Sequence, residues 1–186
     1  MHSGSIAALV SVLFGLMLAD LFSSAHRLLR SRNRVRWHWL PILVSWYVLA
    51  TVLKNWWALV AMENIDAWSG GWIFLFYGHL LLLLYLVAAA TLPDEVPAEG
   101  IDLRSFYLEN RTQFWGLLSG VYLIMLVFSL LHPAIAGAAI FWPPVISNFL
   151  MGAVSVSLAF TRRMAYHCTV VVLMVLLTIL ELVGKL

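Results

Sequence analysis

Six polar side chains stand inside runs that are otherwise apolar: Asp20, Lys54, Tyr77, His79, Asn148 and Glu181. A lysine, a histidine and a carboxylate at similar membrane depth have the chemistry to pass protons or line an ion path. Histidine titrates near neutral pH, and ionisable groups inside a bilayer usually face the interior of a bundle. Counted from the middle of each run at 1.5 Å per residue, Lys54 and His79 lie about 5 Å to the outer side of the midplane, Asn148 near it, and Glu181 about 10 Å out. Tyr77 and Asn55 flank this group. A lysine side chain reaches far enough for a Lys54–Glu181 ion pair, if the two helices are neighbours. The expectation is one polar cavity in the outer half, built by four helices. Against it stands a Lys54 that snorkels to the headgroups and a His79 hydrogen-bonded in the core.

A second group sits deeper. Asp20 falls about 7 Å to the inner side of the midplane by the same count. Ser23, Ser24, His26 and Arg27 come after it, and His167 lies at a similar level. The plain reading is an Asp20–Arg27 or Asp20–Arg163 ion pair. The sharper one is the inner gate of a pathway whose outer part is the Lys54 group.

Elements must position these residues, and composition says which kind. Of the 186 residues, 63% are hydrophobic and 11% charged, where soluble domains carry about 25% charged residues. Mean hydropathy is +0.94. So little charge could not cover a water-soluble surface, and lipid as solvent removes the difficulty. The fold class expected is all-α: a single polytopic membrane domain over 1–186, with helices over roughly 5–26, 39–62, 71–92, 113–132, 138–160 and 164–184. Each run approaches the ~20 residues that span a bilayer, and none shows the two-residue alternation of a barrel strand. The first run is expected to be retained rather than cleaved, because no Lys or Arg precedes it and five Arg come after, from Arg27 to Arg36.

The connections expected at one face hold Arg27–Arg36, then Arg104 and Arg111, then Arg162 and Arg163. The opposite face holds none before Lys185. The positive-inside rule then predicts both termini outside the cytoplasm, in a multi-pass protein of the bacterial inner-membrane kind. Trp37, Trp39, Tyr107 and Trp115 are expected at the inner interface, and Trp56, Trp57, Trp68, Trp72 and Trp142 at the outer one.

Between helices 3 and 4, Pro93–Pro97 breaks the chain, and Asp102 is placed to cap the next helical segment. Leu103, Phe106, Tyr107 and Asn110 then repeat at helical spacing. This predicts a short amphipathic helix on the inner surface; a plain extension of helix 4 is the alternative. Pro143-Pro144 either opens helix 5 in its first turn or leaves 134–142 as an interrupted, site-forming piece.

Small residues at every fourth position of helix 1 (Ala7, Ser11, Gly15, Ala19, Ser23) and Gly116-xxx-Gly120 in helix 4 predict close helix packing or a homo-oligomer contact.

Several classes are excluded or unsupported. A net charge of +2 leaves no basic footprint for nucleic acid. One cysteine, Cys168, rules out an intrachain disulfide. Hydrolase, metalloprotease and phosphate-loop motifs are absent, so no catalytic residue, metal or cofactor is expected. The leading expectation is a small channel or transporter for protons, ions or a small polar solute, with the lipid bilayer as its main partner. An alternative is a non-catalytic adaptor or sensor that binds a cytoplasmic partner at 27–36 or 93–112. A further one is a lipid-modifying enzyme using Asp20, His26 and His167.

Overall fold

A computed structural model describes residues 3–60 and 71–183. Within them the chain forms six α-helices: α1 (Ser3–Arg30), α2 (Trp39–Val60), α3 (Gly71–Ala89), α4 (Leu103–Ala136), α5 (Trp142–Phe160) and α6 (Met164–Val183). Four stretches of these helices, Val10–Arg30, Leu103–Pro133, Trp142–Phe160 and Met164–Val183, are long and apolar enough to cross a membrane. A shorter apolar stretch, Leu75–Ala89, lies in α3. The composition therefore has the structural counterpart it required, a helical protein suited to membrane insertion. The connection expected from Glu63 to Gly71, with Trp68, lies outside the described residues up to Gly70.

The helix boundaries correct three expectations. No separate surface helix precedes helix 4. The Asp102 carboxylate accepts from the Arg104 and Ser105 N–H groups at 2.8 and 3.3 Å, and α4 then runs unbroken for 34 residues. Capping satisfies two of the orphan donors of the first turn, and no breaker interrupts the next thirty residues, so nothing separates 103–112 from the span. The helix also continues through Pro133, ending where Gly137 takes the left-handed conformation at φ 65°. Finally, α5 starts at Trp142, not 138, with the prolines in its first turn. Proline is tolerated there because those N–H groups have no helical acceptor.

α4 is the hub. It packs against α5 along much of its length, against α3, and more lightly against α2, while α1 joins α2 and α3, and α2 reaches α6. The main core gathers Phe14, Val44, Val48, Leu84, Leu118, Leu158, Val171 and Met174, all nearly inaccessible. Gly120 sits where α4 packs closely on α3, since a Cβ there would stand 3.1 Å from the Leu83 side chain. Gly15, Ala19 and Gly116 instead lie on exposed faces, so their small size serves no contact inside the described chain.

At the Arg-rich end, the α1–α2 and α3–α4 connections dock on each other. Strand β1 (Val35–Arg36) pairs in parallel with β2 (Ile101–Asp102). Leu21, Leu28, Val35, Leu92 and Leu103 form a second small core beneath them. Gly100 is required: its φ is +92°, and a Cβ would meet the Arg34 carbonyl oxygen at 2.5 Å. Arg36–Asp102 and Arg27–Asp94 add ion pairs of 3.6 and 3.5 Å. Trp37 and Trp39 are exposed, whereas Tyr107 and Trp115, expected at the same interface, are buried, Trp115 fully.

Candidate functional site

The polar residues of α2, α4 and α6 form two groups along one seam. All three helices run from the Arg-rich end towards the other, so residues that rise along one rise along all.

The outer group begins with Lys54 and Glu181, whose Nζ and Oε2 atoms lie 2.6 Å apart. The two side chains are 39% and 41% exposed, so the pair opens to the surroundings of the bundle. Beneath it the hydroxyls of Tyr47 and Tyr122 are in direct contact. Thr51, one turn on from Tyr47, donates its hydroxyl to the Tyr47 backbone carbonyl at 2.8 Å.

The inner group is closed. His167 has no exposed surface. Its Nε2 faces the Thr161 carbonyl at 2.9 Å, and its Nδ1 faces the Tyr107 hydroxyl at 2.7 Å. A carbonyl only accepts, so Nε2 carries the proton. Nδ1 of the neutral ring then accepts from Tyr107, whose oxygen in turn accepts from Trp115 Nε1–H at 3.0 Å. Every donor has an acceptor in this assignment, which is the condition for burying four polar groups cheaply.

Between the groups lies an apolar segment. On α4 it is Leu118, on α2 Val44, on α6 Val171 and Met174, all within one core cluster. Along α6 the separation from His167 to Glu181 is about 21 Å at 1.5 Å per residue.

The remaining residues of interest go elsewhere. Asn148 donates to Ser129 Oγ at 3.2 Å, tying α5 to α4. His79 is exposed on α3, with Nδ1 2.6 Å from the Leu75 carbonyl oxygen of its own helix. Tyr77 packs among Phe76 and Phe128. The structure thus joins Lys54 to Glu181, and gives Asn148, His79 and Tyr77 other surroundings.

Compared with known proteins, the chain matches no family model, no curated protein and no solved structure. The functional reading rests on its own side chains.

The inner acid is also placed differently from the plain reading. Arg27 turns away from it, donating to Ser23 and Ser24 at 2.8 Å each and pairing with Asp94. Asp20 lines a groove between α1 and α3. His26 is exposed and His167 is enclosed, so Asp20, His26 and His167 stand in three different settings. No group of three or more His, Cys, Asp or Glu able to hold a metal occurs among the described residues.

Tyr47, Tyr107, Trp115 and Tyr122 carry the site without having been singled out as its members. Their signal is present: 107, 115 and 122 step by eight and seven residues, one face of a helix. It becomes readable once α4 is known to begin at Leu103.

Proposed function

We propose that this protein is a small membrane transporter or channel that passes protons or a small ion along the seam between α2, α4 and α6. The observation that carries the reading is the Lys54–Glu181 pair, two opposite charges held at 2.6 Å within apolar helices and continued inward by the Tyr47–Tyr122 contact. Charges at membrane depth are costly and mark pathways more often than packing. In this reading α2 and α3 complete a six-span bundle, because both pack on the strongly apolar helices, and α2 with 22 residues is about 33 Å long. Both termini lie on the outer side, by the Lys and Arg distribution.

Glu181 is the proton-exchanging group and Lys54 its counter-charge. The tyrosine hydroxyls relay inward, and the Leu118–Val171 segment acts as a dry gate of the kind that opens by wetting. The Tyr107–His167 network lies beyond it, near the Arg-rich end.

Reconstitution into liposomes holding a pH-sensitive dye, with an imposed potassium diffusion potential, tests the reading. Wild-type flux should fall at least tenfold in Glu181→Gln and Lys54→Ala and by a smaller factor in Tyr122→Phe. It should persist in His79→Ala, whose ring faces its own helix. Unchanged flux in both charge variants would remove the pathway.

A second reading, an adaptor or sensor, is favoured by the docked inner connections, which hold Arg30, Arg32 and Arg34 exposed on a fixed frame. Exchanging 27–36 for a neutral loop should abolish partner capture in that case and leave flux intact in the first.

A further inference from the structure

The groove between α1 and α3 encloses about 650 Å³, within the ~300–1,000 Å³ of pockets that hold drug-sized ligands. Its walls are hydrocarbon: Leu13, Leu16 and Met17 from α1, and Leu81 and Leu82 from α3, with Tyr85 at one end. Ala19, Ser23 and Gly78 keep it open, and a Cβ on Gly78 would meet nothing within 4 Å. Asp20 is the one ionisable carboxylate in this lining. It has no hydrogen-bond or ion-pair partner among the described residues, and Arg27, the nearest candidate along the helix, is held by Ser23, Ser24 and Asp94.

A lone carboxylate in an apolar groove calls for a particular complement. An ionised group at membrane depth costs about 2.5–3.5 kcal/mol on insertion scales, and a cation seated against it offsets that cost. A bare metal ion would need several oxygen or nitrogen ligands, which one carboxylate and one serine do not supply. An organic cation with an apolar body needs only one charge and a greasy wall. The Tyr85 ring adds a face on which a diffuse positive charge is stabilised.

We infer that the α1–α3 groove is a binding site for amphiphilic organic cations, with the cationic centre against Asp20 and the apolar body along the leucine walls. The site is separate from the α2–α4–α6 seam and stands whether or not that seam conducts.

Equilibrium binding of radiolabelled tetraphenylphosphonium to the full-length protein in a non-ionic detergent tests it. The expected result is saturable binding near one per chain, displaced by dodecyltrimethylammonium and not by dodecanol. Asp20→Asn should weaken it more than tenfold. Gly78→Leu, which puts a side chain where a Cβ meets nothing within 4 Å, should do the same with Asp20 intact. Glu181→Gln should leave it unchanged, which keeps this result apart from the flux assay. Absent saturable binding, or equal affinity in Asp20→Asn, would overturn the inference. So would a groove that retains an amine phospholipid through purification and takes no tetraphenylphosphonium.

Discussion

The two polar groups of the seam share tyrosines but differ in their charged members and in what surrounds them. At the inner group, Trp115, Tyr107, His167 and the Thr161 carbonyl form a line in which each proton has one destination, and His167 is wholly inaccessible. At the outer group, Lys54 and Glu181 are two-fifths exposed, and their ion pair faces outward. A closed, fully satisfied network is rigid, because moving any member leaves a buried partner unmatched. A half-open ion pair can trade its proton or counter-ion with whatever reaches it. Burial and charge together separate the closed network from the half-open ion pair.

Mutation should expose this difference, first at the inner group. His167→Ala leaves the Tyr107 hydroxyl and the Thr161 carbonyl without their partner and opens a cavity, and should cost about 3 kcal/mol, combining a lost buried hydrogen-bond partner with a large-to-small change. Thermal unfolding in detergent would read it as a large drop in midpoint. If the midpoint hardly moved, the inner network would not be the rigid element it is taken for. Gly100→Ala comes next, at about 1–3 kcal/mol, because the residue must keep a positive φ against the Arg34 carbonyl. The same melt measures it, and Gly137→Ala, with open space around its Cβ, should cost less.

At the outer group the order of effects reverses between stability and function. Lys54→Ala should lower the melting midpoint by less than His167→Ala does, because the pair is only partly buried, while removing most of the flux. The double swap Lys54→Glu with Glu181→Lys restores the pair with reversed polarity. It should recover the melting midpoint and not the flux, which distinguishes an exchange site from a mere strut.

The smallest effect belongs to Asp102, outside the spans. Its carboxyl is held below the usual carboxylate range, first by the Ser105 N–H, then by the Arg104 N–H and the charges of Arg36 and Arg104. A depressed folded-state value means that the stabilisation is complete above the ordinary Asp range. It is lost as pH falls through the depressed value. Asp102→Ala should therefore cost about 1 kcal/mol at neutral pH, the ordinary worth of a helix cap, and the gap from wild type should close on acidification. Melts at neutral pH and in strong acid would check the sign.

Much of the architecture was legible because it depends on local rules. The apolar helices and the capping Asp102 are features of single segments, and both are present, though among the described residues four helices rather than six are long and apolar enough to span and several ends are shifted. The expectations that failed were those in which two signals competed locally. The amphipathic spacing over 103–112 suits a surface helix and the first turns of a span equally well, and an unbroken N-capped helix decides between them. Trp115 has the residue type of a membrane-interface anchor and the register of a core position, and register prevailed.

What the sequence determined by itself is the kind of molecule, an all-helical chain with helices apolar enough for a lipid solvent, and the place of Lys54, Glu181 and Asp20 along their own helices. Position along a helix comes from counting residues, which needs no neighbour. What only the tertiary structure decided is who meets whom. The direction in which a residue faces around its helix is weakly encoded when a helix is apolar on all sides, as α3 is with its leucine run, and lipid imposes no polar face to orient it. Packing therefore chose to join Lys54 to Glu181, to send Asn148 to Ser129, to enclose His167 with Tyr107, and to leave Asp20 in its groove.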